Sequence, residues 1–117
     1  MLLQYVDVEI VMVALSKHGD RWVCETTLRH DDRDWDHYAD AWRVVTASGK
    51  ILGTRTLYHP HVDEQPFTRS LRDISIPTGT KIVFIEAHDK VHGWSDKRVK
   101  IDLTNYAGNR YRIDRSP

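Results

Sequence analysis

The chain has 117 residues, of which 17 are basic and 17 acidic, for a formal net charge of zero. That balance removes the case for a broad nucleic-acid or membrane surface, and a single cysteine rules out an internal disulfide and suits a reducing compartment. A chain of this length can bury a hydrophobic core without staples.

Seven β-rich runs bounded by turn residues are predicted as strands. The first covers about Leu3 to Leu15, with Val8, Ile10, Met12 and Ala14 on one face and Asp7 and Glu9 on the other. It ends in Lys17-His18-Gly19-Asp20, a tight-turn composition. The second, Arg21 to Arg29, carries Trp22, Cys24, Thr26 and Leu28 on one face, so Cys24 reads as a buried thiol. After the acidic stretch Asp31 to Asp36 comes the third, Ala41 to Ala47, with Trp42 and Val44 inward. Ser48-Gly49-Lys50 turns it into the fourth, Ile51 to Tyr58. The fifth covers Phe67 to Ile76, and Pro77-Thr78-Gly79-Thr80 leads to the sixth, Lys81 to Ala87, where Val83, Ile85 and Ala87 alternate with polar or outer residues. The seventh is Arg98 to Leu103, with Val99, Ile101 and Leu103 inward.

This pattern predicts an all-β, immunoglobulin-like antiparallel sandwich over residues 1–103. Residues 104–117 form a polar tail that packs as an extra edge strand or frays. The start, Met1 to Asp7, lacks the basic leader of a secretory signal. The longest apolar run, Ile10 to Leu15, is too short to span a bilayer. A cytoplasmic protein is expected, without nucleic acid or membrane as partner; an edge strand such as the first could pair across a homodimer.

If successive strands reverse direction, the second, fourth and sixth connections share one end of the molecule. These connections hold His30 and His37, then His59 and His61, then His88 and His92; only His18 falls elsewhere. The opposite set is short and built of plain turn residues. Loops at one end of a rigid sandwich are a common place for binding residues, so the histidine end is the predicted site.

The densest chemistry is the run His59-Pro60-His61-Val62-Asp63-Glu64-Gln65. Two histidines at i and i+2 point to one side of an extended backbone, which Pro60 favours at His59. The spacing suits two imidazoles on one ion, with His92 or His88 a third nitrogen and Glu64 or Asp89 a carboxylate. Such a mixed nitrogen and oxygen set fits zinc, iron(II), manganese or copper. The alternative is a structural network, in which Arg55 and Arg69 brace the loop by pairing with carboxylates such as Glu64. In the segment His88 to Trp94, Gly93 permits a turn that presents His92 at a loop tip; the alternative there has Asp89 capping loop amides and Trp94 covering the sandwich end. In the run Asp34 to Trp42, Trp35 and Tyr38 could stack on a ring beside His37. No Ser, His, Asp order with an oxyanion loop, no phosphate loop and no CxxC occur. A small ligand or a partner protein, held without catalysis, is therefore the second function class.

Three elements carry a resemblance: His37-Tyr38-Ala39-Asp40-Ala41-Trp42, the block Gly53 to Leu71 that reads GTRTLYHPHVDEQPFTRSL, and Val91-His92-Gly93. Together they resemble a family of small prokaryotic proteins with HYADAW, GTRxLxHPHxxEQPFTRSL and VHG motifs, a resemblance that implies no activity. A fainter similarity is to superoxide reductases, immunoglobulin-like sandwiches whose iron is held by histidines and by a cysteine in a late CxxHG motif. Here that run is Asp89-Lys90-Val91-His92-Gly93, so His92 carries over as a ligand and Asp89 stands where the thiolate would be. Without the thiolate the same redox chemistry is not implied.

Overall fold

Every run of alternating apolar and polar residues becomes a strand in the structure, a computed structural model that describes residues 8–30, 32 and 35–115. The predicted strand residues from Leu3 to Asp7, the run Met1 to Asp7 read as lacking a leader, and Asp31, Arg33, Asp34, Ser116 and Pro117 lie outside the described residues. The described residues contain no helix. The described residues form ten strands, β1 (Glu9–His18), β2 (Arg21–Arg29), β3 (Ala39–Thr46), β4 (Ile51–Thr56), β5 (Phe67–Ile74), β6 (Ile82–Asp89), β7 (Gly93–Trp94), β8 (Val99–Asp102), β9 (Ala107–Gly108) and β10 (Tyr111–Asp114).

The strands make two packed sheets. One has the order β5-β2-β1-β10-β9; the other is β4-β3-β6-β7, with β8 also paired to β6. The all-β sandwich expected from the sequence is thus present, with ten strands in place of about seven. Two of the added strands, β7 and β9, are only two residues long, below the length at which alternation can be read.

The core between the sheets holds Ile10, Val13, Leu15, Trp22, Cys24, Leu28, Trp42, Val44, Val83, Ile85 and Ile101, all nearly or fully buried. Burying side chains of this size stabilises by roughly 1.5–3 kcal/mol each. In β1 the predicted face of Val8, Ile10, Met12 and Ala14 needs correction: Val8 and Ile10 are buried, but beyond them Val13 and Leu15 take the inward positions. The cause is a bulge between Ile10 and Met12 in the pairing with β2. One extra residue moves every later side chain to the other face.

The C-terminal segment is built into the sandwich. β10 pairs in parallel with β1, with Val13 opposite Tyr111 and Leu15 opposite Ile113, and both Tyr111 and Ile113 are buried. This corrects the purely antiparallel sheet. It also makes β1 an interior strand flanked by β2 and β10, with no free edge for pairing across a homodimer. At one end lie the turns at Gly19, Gly49 and Gly79, each with a positive φ. At the other end the connections β2–β3, β4–β5 and β6–β7 converge.

Candidate metal centre

His30 is the next residue after β2, and it continues the inward row of Cys24, Thr26 and Leu28 by one more step of two. Asp89 likewise ends the inward row Val83, Ile85, Ala87 of β6. Strand periodicity therefore drives a histidine and an aspartate into the same end of the core. Both side chains are fully buried. A buried charge must be paired or hydrogen-bonded, and the loops supply what the strands do not.

Asp32 lies in the β2–β3 connection and is the acceptor that ties it to the start of β3 and to the β4–β5 connection. Its Oδ1 takes the N–H of Ala39 at 3.0 Å and pairs with His30 Nδ1 at 2.5 Å, while its Oδ2 takes the N–H of His61 at 2.7 Å. Burial pushes the Asp32 carboxyl up, but the hydrogen bonds from His30, His61 and Ala39 outweigh it and hold the group below the usual carboxylate range. Gln65 adds two more ties, accepting the His30 N–H and donating to the His61 carbonyl.

Asp89 is the second such hub. Its Oδ1 accepts the N–H groups of Val91 and His92 at 2.8 and 2.6 Å, and His92 Nδ1 lies 3.0 Å from its Oδ2. The loop-capping role considered for Asp89 is thus present in full. Here too burial raises the carboxyl, and the contacts from His92 and Val91 bring it below the usual range. Gly93, with φ of 78°, lets the loop close tightly enough to deliver them.

Between the two carboxylates lies the His30 ring. Its Nε2 is buried without a hydrogen-bond partner and stands 3.5 Å from Asp89 Oδ2. His37 meets it edge to face with ring centroids 4.8 Å apart, and His37 Nε2 is 3.8 Å from Asp89 Oδ1. One donor atom each from His30, His37 and Asp89 lies within 4.8 Å of the others. Two ligand atoms at about 2.0–2.2 Å from a tetrahedral ion are about 3.4 Å apart; His30 Nε2 stands 3.5 Å from one Asp89 oxygen and His37 Nε2 3.8 Å from the other, so the carboxylate faces both imidazoles at a spacing slightly wider than one bound ion sets. The buried His30 nitrogen, facing a carboxylate without a hydrogen bond, is what such an ion would satisfy.

No family model matches the chain. No solved structure matches it either. Among curated proteins, the chain is 41% identical over 102 residues to a protein of Halomicrobium mukohataei named "Putative lipoprotein", covering 86% of this chain and 50% of that protein. The chain thus spans about half the length of the relative it matches. The expected cytoplasmic location is overturned by this finding, because the relative bears the name of a lipoprotein. That expectation rested on the lone cysteine, on a start read as lacking a basic leader and on an apolar run too short to span a bilayer.

The other residues singled out in the sequence fall into two neighbouring groups. His61 is buried and stacked on Phe67, with ring centroids 4.0 Å apart, and His59 lies exposed against it at 4.7 Å. Arg69 Nη2 donates to His61 Nε2 at 2.9 Å and to Glu64 at 3.1 Å. Because a guanidinium can only donate, His61 Nε2 must be the accepting nitrogen. Burial, Arg69 and His59 all lower the His61 pKa, so the ring is held neutral. Arg55 donates to the Ser70 carbonyl at 2.9 Å and so ties β4 to β5.

The second group lies on the outer face of β6, since His88 precedes Asp89 and points the opposite way. A bulge between Ala39 and Ala41 lets Asp40 reach His88 Nδ1 at 2.5 Å. Trp94 meets His88 at 4.9 Å, and the Arg43 guanidinium covers its ring at 3.6 Å. Tyr38 is buried beside the centre, with Trp35 against its edge at 5.9 Å. Of the residues read from the sequence as ligands, Asp89 belongs to the compact donor group and His92 touches it; His59, His61 and Glu64 form the adjoining Arg69 cluster. His30 and Asp32 were missed as site residues. Their signal was parity, a histidine placed where the inward row of β2 would continue.

Proposed function

We propose that this domain binds a transition metal ion through His30, His37 and Asp89, with Asp32 orienting His30 and His92 bracing Asp89. The observation that carries the reading is the His30 ring. One nitrogen is held by a buried carboxylate, while the other is buried, makes no hydrogen bond and faces a second carboxylate at 3.5 Å. Metal-ligating histidines are oriented in this way, the outer carboxylate fixing the tautomer and raising ligand basicity. Two imidazoles and one carboxylate, with no thiolate, suit zinc, iron(II), manganese or copper. When bound, such an ion supplies Lewis acidity.

The similarity to superoxide reductases extends to His92 and Gly93 alone. Asp89 at the thiolate position makes the donor set harder, which supports metal binding without the electron donation that the thiolate would give. The likeness to a lipoprotein supports a lipid-attached setting for the domain, and fractionation of cells into membrane and soluble parts tests it; recovery wholly in the soluble part refutes it.

Protein purified without an affinity tag should carry about one metal ion per chain by elemental mass spectrometry, and chelation should lower its melting temperature. Ligand at about 100 times its Kd stabilises by roughly 2.7 kcal/mol. His30→Ala should abolish both effects. A chain that carries no metal and gains no stability from zinc, iron(II), manganese or copper refutes the reading.

A non-enzymatic ligand-binding or interaction module is the competing reading, and the Arg69 cluster favours it. There Arg69, Glu64, His61 and Gln65 tie the β4–β5 connection to itself and to Asp32, leaving Tyr58 and Val62 exposed beside it. Under that reading chelation leaves stability unchanged.

A further inference from the structure

Two carboxylates are buried at the histidine end, and the hydrogen bonds around them favour the ionised form of both. Both oxygens of Asp32 accept a main-chain N–H, and Asp89 Oδ1 accepts two. Main-chain donors cannot reverse their role, so these contacts favour the ionised form of both carboxylates. The Arg69 guanidinium near them is paired with Glu64, and the His61 it touches is neutral. The Lys90 ammonium lies out over the Tyr38 ring, at 5.5 Å, on an exposed residue. Apart from its imidazoles, the buried centre therefore holds two negative charges.

A divalent ion bound to neutral His30 and His37 and to Asp89 brings that buried group to zero. Three protein donors also leave such an ion with at least one further position, since four or more ligands are usual. Access is from one side only: His30 and Asp89 are fully buried, whereas His37 and His92 have side chains that are 10% and 27% exposed. An anion entering there would leave a net negative charge in a site largely closed to water, and an uncompensated charge is disfavoured there. A neutral molecule meets no such penalty.

We propose that the position left open on the metal takes a small neutral ligand, water or a substrate with an uncharged donor atom, and that Asp32 makes the site reject anions. This rests on the metal reading above. Asp32 acts from behind His30, as a positioning and charge-setting residue that never touches the ion. The substrate class that follows is a small uncharged molecule, not a carboxylate or a phosphate.

The test compares a neutral and an anionic probe, both small, on the whole chain. Nitric oxide, which is neutral, is added anaerobically to protein loaded with iron(II); azide, an anion, is added to protein loaded with cobalt(II). A half-integer-spin EPR signal from an iron nitrosyl, with an unchanged visible spectrum of the cobalt form in azide, supports the proposal. An azide-dependent change in that spectrum overturns it, as does failure to form the nitrosyl, and in both cases the metal site itself stands. Failure to take up either ion overturns the metal reading and this inference together. Asp32→Asn should gain azide affinity by about tenfold or more, while a folded Asp32→Asn protein that still excludes azide overturns the role given to Asp32. Should that variant not fold, the comparison on the unaltered chain decides.

Discussion

Replacing Asp32 with alanine removes the one acceptor shared by three segments. His30 Nδ1, Ala39 N and His61 N would each lose a partner 2.5 to 3.0 Å away. A hydrogen bond to a charged group contributes about 1.5–3 kcal/mol, and a buried donor left unsatisfied costs a similar amount. Full additivity would exceed half the stability of many domains, but the three donors share one site and their losses are not independent. The expected destabilisation is about 4 kcal/mol. Urea denaturation should show it as a lower midpoint at unchanged slope. The pH dependence gives a second reading of the same contacts. Asp32 is held below its ordinary value of 3.8 in the fold, so its contribution is complete above that value and is lost as pH falls through the lower, folded one. The alanine variant should therefore lose less of its remaining stability in acid than the unaltered protein. A loss below about 1 kcal/mol, the size of one ordinary hydrogen bond, would show that Asp32 is not the hub described.

Three further outcomes follow from single contacts. A side chain at Gly108 would place its Cβ 2.3 Å from the Tyr111 ring, so Gly108→Ala should displace the ring from the core, destabilise by about 2 kcal/mol and lower the melting temperature; an unchanged melting temperature would refute the close packing of β9 on β10. Burial pushes the Cys24 thiol up to about 12, so a maleimide at pH 8 should react with it only after unfolding, and rapid labelling of the folded chain would contradict its place in the core. His61 is held neutral, so below its ordinary value of 6.5 the unfolded chain takes up a proton that the folded one refuses, and stability falls as pH drops through that value. Arg69→Leu, followed by NMR titration, should raise the His61 pKa, and an unchanged titration would remove Arg69 as a cause.

The fold was legible because period-two alternation is strong in β2, β6 and β8, where each second residue is buried. It failed at β1 for a local reason, since the bulge after Ile10 reverses the faces and leaves no mark in composition. The alternation of Tyr111, Arg112, Ile113 and Asp114 was present in the tail, but four residues are too few to separate a strand from a polar terminus. At the histidine end the gathering of loops was readable from strand parity. The choice among the histidines was not, because spacing favoured the His59 and His61 pair, whereas orientation is decided by what else the loop must bond. Arg69 and Phe67 claim His61, contacts that come from across the loop. His30 and Asp89 instead reach the centre simply by ending inward rows.

The parallel pairing of β10 with β1 also fixes which way the domain faces. β1 begins at Glu9 opposite Arg29, one residue before His30, and β10 ends at Asp114 opposite Ser16, beside the plain turn at Gly19. In a molecule 48 Å long, polypeptide enters the sandwich beside the histidine centre and leaves it at the far tip. Anything joined ahead of β1 would hold the centre close against its support, within reach of whatever diffuses along that surface. Anything joined behind β10 would lift the same centre outward, by most of the length of the sandwich, into open solution.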